Sequence, residues 1–284
     1  MMKTVNAIIA IVIVAIIAFA AGYYIYPSVN PTQPAQQKTL WDKIKERGYI
    51  VVATSPDWPP FEFIDPQTNE LVGYEVDLMN AIGEKLGIEV RWKTMEFDTI
   101  IAAVKNGEVD LGVSGFSVTP ERFNEVSFCM PHIVTEVQLI MTVEKANELG
   151  ITRLKSLSEI KKYNIVVGTG QGTTEEQELL DLVNKGVIPS GLVKSFTDFQ
   201  IALEDLKAGR VDAVYAETPI TTWWISTESV PLTVVYSRSY WPVAFITMKG
   251  EYELVNHINA ALAEIFASGQ IDEIRAKWNV SSGL

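Results

Sequence analysis

The residues best equipped for chemistry lie in one stretch, Ser114-Gly-Phe-Ser-Val-Thr-Pro-Glu-Arg122. Thr119 followed by Pro120 is a helix-start signal: a hydroxyl to cap free N–H groups, then a proline at the first helical position, where a missing N–H costs nothing. A small-residue loop that opens a helix offers backbone N–H donors and the positive end of the helix dipole. Ser114 and Ser117 add hydroxyls, Gly115 permits close backbone approach, and Arg122 brings a planar fork suited to a carboxylate. The chemistry on offer is anion recognition. The same residues also make an ordinary capped helix with a surface arginine, and the stretch alone does not choose between the two.

Other segments offer complementary groups. Gly168-Thr-Gly-Gln-Gly-Thr-Thr174 lacks the Gly-Lys-Ser/Thr ending of a nucleotide-binding loop, so it reads as a backbone anion cradle ending at Thr174 or as a tight turn. Glu217, in Ala213-Val-Tyr-Ala-Glu-Thr-Pro219, stands at a strand's carboxyl end, where it could meet a cation or cap the next helix. In the stiff loop Thr54-Ser-Pro-Asp-Trp-Pro-Pro-Phe61, Trp58 or Phe61 could join Phe97 in sandwiching an aliphatic ligand chain, or all three could pack the core. Trp223, Trp224 and Trp241 read as core packing.

Composition narrows the chemistry further. A net charge of −12 argues against nucleic acid, which wants a basic face. Cys129 is the one cysteine, so neither an internal disulfide nor a cysteine metal cluster can form. His132 and His257 have no metal-ligand spacing and read as structural. No cofactor is expected.

The elements that must position these groups alternate. Strand patterns at Tyr49–Ala53, Glu89–Thr94, Val109–Val113 and Asn164–Val167 are interleaved with helix patterns at Tyr74–Leu86 and Phe97–Asn106, and two helices close the chain near Glu251–Ala267 and Gln270–Trp278. This predicts an α/β fold with a largely parallel sheet. Val104-Lys-Asn-Gly-Glu-Val-Asp-Leu111 recurs as Leu206-Lys-Ala-Gly-Arg-Val-Asp-Ala213, and Ile50-Val-Val-Ala-Thr-Ser55 as Ile165-Val-Val-Gly-Thr-Gly170. Two similar lobes follow, their strand ends facing across a cleft of the kind that holds ligands in open α/β sheets.

Ahead of the alternation, Ala7 to Ile25 is uncharged and apolar over about 19 residues, enough to cross a bilayer as a helix. Lys3 before it places the remainder outside the cytoplasm, and Tyr23, Tyr24 and Tyr26 suit the interface. A cleaved signal segment and a retained anchor both fit; the run exceeds the usual signal-peptide core, which favours the anchor. Residues 28–39, rich in Pro, Gln and Thr, read as a tether. The expected organisation is anchor or signal 1–27, linker 28–39, first lobe 40–135 with 240–284, and second lobe 136–239.

From Leu40 to Trp278 the chain resembles the extracytoplasmic solute-binding proteins of ABC importers, polar amino-acid (family 3) group. The likeness lies in VVATSPDWPPFEF, LVGYEVDLMNAIGEKLG, FDTIIAAVKNGEVDLGVSGFSVTPER, VVGTGQGTTEE and LKAGRVDAVYAETP. It implies a type II periplasmic-binding-protein-like fold, here expected behind the N-terminal transmembrane helix read from residues 7–25. It also implies a monomer that binds an amino acid and delivers it to a permease, and the anchor would keep it at the cell membrane. By the same resemblance Arg122, Ser117 and Thr174 take the α-carboxylate; Glu217 and Ser114 or Gly115 take the α-amino group; Trp58 and Phe97 form the aromatic wall. Departures are Ser55 where members binding basic amino acids carry an acid, Glu217 where Asp is commoner, and Cys129-Met-Pro-His132 in place of Ser-Asp-Pro-Tyr. An enzymatic alternative exists on this fold: a cyclohexadienyl or arogenate dehydratase with Glu217 as general acid.

Overall fold

In a computed structural model, residues 38–281 are described. The anchor or signal segment 1–27 and nearly all of the tether lie outside them. Among the described residues no helix is long and apolar enough to cross a membrane. The chain enters a helix at Leu40, with Thr39 accepting from the Asp42 amide while the Asp42 carboxylate accepts from the Thr39 amide.

The strands are β1 (Tyr49–Thr54), β2 (Asp57–Trp58), β3 (Glu62–Ile64), β4 (Leu71–Val72), β5 (Glu89–Thr94), β6 (Leu111–Gly112), β7 (Val126–Phe128), β8 (Ile133–Thr142), β9 (Val167–Gly170), β10 (Val193–Phe196), β11 (Ala213–Glu217), β12 (Leu232–Val243) and β13 (Ile246–Met248). They form two five-stranded sheets on one plan, β5-β1-β6-β13-β7 and β10-β9-β11-β8-β12, with a small sheet β2-β3-β4 beside them. In each large sheet a central strand, β1 or β9, pairs in parallel on both sides. The other two pairings in each sheet are antiparallel, so one strand, β13 or β8, runs against the other four. The sheets are therefore mixed in pairing though four strands of five run one way. The antiparallel pairings arise because β8, β12 and β13 return the chain between the two halves without an intervening helix.

The repeated motif has a physical explanation. In both copies a glycine at positive φ, Gly107 or Gly209, ends a helix and turns the chain into the sheet. The aspartate that follows accepts the amide of the neighbouring strand's edge: Asp110 from Val51 at 2.7 Å, Asp212 from Val166 at 2.8 Å. Two boundaries differ from expectation. Only Leu111–Gly112 of Val109–Val113 joins the ladder, and the strand expected at Asn164–Val167 begins at Val167. Asn164, at φ 53°, ends the helix Ile160–Tyr163 and holds the start of the segment out of register.

A carboxyl-end site between two sheets

Every residue singled out from the sequence as a contact, Trp58, Phe97, Ser114, Gly115, Ser117, Arg122, Thr174 and Glu217, lines one cavity. The lining comes from the carboxyl ends of strands in both sheets, where α/β architectures place ligands. The cavity is narrow, about 30 Å³, room for roughly two waters.

Arg122 forms its positive pole. Thr119 accepts the Arg122 amide at 3.2 Å and starts the helix Pro120–Glu125. The side chain is only 9% exposed, with the guanidinium carbon 5.5 Å from the ring centres of Phe97 and Phe116. Its two hydrogen bonds among the described residues go to backbone carbonyls, Ser117 at 3.2 Å and Gly172 at 3.1 Å. Burial pushes its pKa down, and Glu175, Glu217 and Glu121 push back. It is thus a desolvated, always-charged group with hydrogen-bonding capacity to spare.

Glu217 forms the opposite pole. It occupies the N-cap position of the helix Thr218–Thr227 but makes no side-chain cap bond. Its carboxylate instead accepts from Ser117 and Thr135, each at 2.5 Å. Burial, then the nearby Glu175 charge, raises its pKa to about 8, against the pull of both hydroxyls and Arg122. Glu175, in the first turn of the helix Thr174–Asn184, is also buried; one oxygen accepts from the Thr174 hydroxyl at 3.2 Å and the other has no hydrogen-bond partner among the described residues. Burial raises its pKa, while its own backbone amide and Arg122 work the other way.

Gly115 and Trp58 make the apolar wall. Gly115 sits at φ 59°, and a Cβ there would lie 1.5 Å from a Trp58 ring carbon, so the indole closes over bare backbone. Phe97 stacks on Phe116 at 5.0 Å. Phe61, offered as an alternative to Trp58, is fully buried between Trp58 and Tyr74 and does not line the cavity. Trp224 lies in the core as read, whereas Trp223 is half-buried against Phe63.

Sequence reasoning passed over Asp57, Glu62, Glu175 and Phe199, which line the same cavity. Asp57 accepts the Phe199 amide at 2.9 Å and the Ser55 hydroxyl at 2.7 Å, joining the loop after β1 to the helix after β10. Its signal was the absence of an acid at Ser55, with a carboxylate two residues on. Glu175 carries only the ordinary sequence signal of an acid in a helix's first turn. Gln171, also in the lining, donates to Asp98 at 2.7 Å, one more bond between the two sides besides those of Arg122, Ser117 and Asp57.

The model of the bacterial extracellular solute-binding proteins, family 3, matches residues 50–281. The ABC transporter arginine-binding protein 1 of Escherichia coli K12 is 30% identical over 81% of this chain and 90% of its own length. The L-cystine-binding protein TcyJ of the same strain is 28% identical, with coverage of 84% and 85%. Among solved structures, an ancestral arginine-binding protein bound to arginine superposes with a TM-score of 0.73 at 33% identity, covering 82% of this chain and 98% of that one. The ancestral amino acid-binding protein AncCDT-1, a precursor of cyclohexadienyl dehydratase, does so with a TM-score of 0.73 at 28% identity, covering 85% and 99%.

Proposed function

Because the chain belongs to the bacterial extracellular solute-binding proteins, family 3, we propose that it binds a free amino acid in this cavity and hands it, chemically unchanged, to the permease of an ABC importer. The observation that carries the reading is Arg122, a buried guanidinium hydrogen-bonded only to carbonyls and set across the cavity from the Glu217 carboxylate. A zwitterion matches both poles at once. Arg122, Ser117 and Thr174 take its carboxylate, while Glu217 with Ser114 and Gly115 takes its ammonium, and Trp58 and Phe97 flank the side chain. The ligand displaces the Ser117–Glu217 bond and is enclosed as lobe 40–135 with 240–284 closes on lobe 136–239, turning about the paired strands β8 and β12. The folded part works outside the cytoplasm as a monomer, tethered through residues 1–27.

Thermal melting of the full chain against a panel of L-amino acids tests this. Stabilisation should grow with the logarithm of ligand concentration for at least one member, as linkage requires. A melting point that no amino acid moves overturns the proposal. So does conversion of prephenate or arogenate, which would assign Glu217, with its raised pKa, the general acid's part.

A further inference from the structure

A buried polar chain runs from Glu62, on the cavity wall, to groups behind it that the ligand contacts do not use. Glu62 and Glu75 are 0% exposed and His132 is 1% exposed. Glu62 accepts from the Ser114 hydroxyl at 3.0 Å, and Glu75 accepts from the Gly115 amide at 2.9 Å. The other Glu75 oxygen, Oε1, lies 3.0 Å from His132 Nε2. Apart from this contact neither atom has a hydrogen-bond partner among the described residues.

Other groups fix the imidazole. Its Nδ1 is 3.1 Å from the Tyr74 hydroxyl, and its backbone carbonyl accepts from Arg275 at 2.9 Å. Phe245 covers the ring at 4.9 Å. The Tyr74 hydroxyl, held protonated by burial, reaches both Nδ1 and, at 3.4 Å, the His132 carbonyl; donated to Nδ1, its proton leaves the ring proton on Nε2, facing Glu75. Burial, then the neighbouring Glu75 charge, raises the pKa of Glu62.

We propose that His132 is a positioning residue for the cavity: by holding Nε2 against Glu75 Oε1 it fixes the carboxylate on the Gly115 amide, and through it the Ser114–Gly115 wall against which the ligand is bound. The proposal rests on reading the cavity as the amino-acid site. Without the imidazole, the buried Glu75 Oε1 would lose its one close polar neighbour, a costly arrangement that the carboxylate relieves by rotating. Rotation takes the other oxygen off the Gly115 amide. Gly115 lies too close under Trp58 to move alone, so the wall moves as a unit.

The test compares His132→Leu, which removes the donor, with His132→Gln, which restores an N–H. Full-length chains labelled with 15N-glycine are followed by the Gly115 amide resonance in the absence of ligand, and L-arginine affinity is measured by calorimetry. The Gly115 proton should resonate downfield in wild type, as expected for an amide donating to a carboxylate. It should shift upfield in His132→Leu and return most of the way in His132→Gln. L-arginine binding should weaken about tenfold in His132→Leu and stay within about threefold of wild type in His132→Gln. A Gly115 resonance that stays put in a folded His132→Leu chain overturns the proposal, as does a shift that His132→Gln fails to reverse. Should the leucine chain not fold, His132→Gln set against Glu75→Gln decides: Gly115 must be near wild type in the first and displaced in the second. If L-arginine and the rest of the panel fail to bind wild type, the amino-acid reading falls, and the ligand-free resonance still judges the positioning role.

Discussion

The loop after β6 and the loop after β9 meet at the cavity, built alike and charged oppositely. Each runs from a strand through a glycine at positive φ, Gly115 at 59° or Gly172 at 75°, to a threonine N-cap. Each then puts one charged side chain of the first helical turn into the cavity, Arg122 from the first and Glu175 from the second. The shared backbone plan fixes where charge goes. The side chains decide what it recognises, and the two signs are not equivalent. Burial can neutralise Glu175 or Glu217 by adding a proton, and both pKa values move that way. Arginine has no such escape. Among the described residues lining the cavity, Arg122 is the only cationic side chain, so the comparison predicts that its loss costs most.

Arg122→Ala should therefore weaken amino-acid binding at least a hundredfold. It would strand a ligand carboxylate in a water-poor site, a loss on the order of 3–5 kcal/mol. Arg122→Lys should recover only part, since an ammonium cannot reproduce the planar fork. Calorimetric titration of wild type and both variants, each checked for folding by melting, gives the answer. Affinity of Arg122→Ala within about threefold of wild type, under ~1 kcal/mol, would move the carboxylate clamp elsewhere.

The acidic side is sharpened by pH. The folded-state pKa of Glu217, about 8, lies above the ordinary carboxylate value of 4.5. Between those values the folded chain holds a proton that the unfolded chain has released. The contribution of Glu217 to stability is thus greatest below about pH 4.5 and declines as pH rises through about 8. Gln mimics the protonated acid, so Glu217→Gln should melt higher than wild type at pH 8, by about 4 °C or more, and nearly level with it at pH 5. Equal shifts at both pH values would show that the carboxylate does not titrate as its burial demands.

The two loops also show what sequence can and cannot convey. Their glycines, threonine caps and Pro120 are local signals, because each acts within about four residues. Tyr74–Leu86 was likewise bounded correctly, since Gly87 turns left-handed immediately after it. Glu62 and Glu75 gave no such signal: their partners Ser114 and Gly115 lie 52 and 40 positions away. From spacing alone, a glutamate on the apolar-looking helix Tyr74–Leu86 is a surface charge, and only packing shows it 0% exposed. The mixed sheets escaped for a similar reason. Parallel neighbours announce themselves by strand–helix alternation, but the antiparallel strands β8 and β12 pair across nearly a hundred residues of intervening chain.

The smallest effects lie in the caps, and they separate the loops most finely. Thr119 accepts at 3.2 Å from the amide of Arg122 itself; Thr173 accepts at 3.1 Å from Glu176, the neighbour of Glu175. Replacing either threonine by alanine frees one helix-start amide and should cost about 1 kcal/mol of stability. The binding consequences should differ. In Thr119→Ala the freed amide belongs to the residue whose guanidinium must stay aimed, so ligand affinity should fall by about three- to tenfold along with the melting point. In Thr173→Ala the freed amide belongs to Glu176, which does not line the cavity, and Glu175 keeps its bond from Thr174, although Thr173 itself is part of the lining. Affinity should fall less than in Thr119→Ala for the same loss of stability. Serine at either position restores the oxygen and should reverse both losses. If the two alanine variants lose affinity equally, the loops act as one mechanical unit and the division between them drawn from charge is too fine. If Thr173→Ala loses more, the second loop holds the ligand, and Arg122 does less than its burial implies.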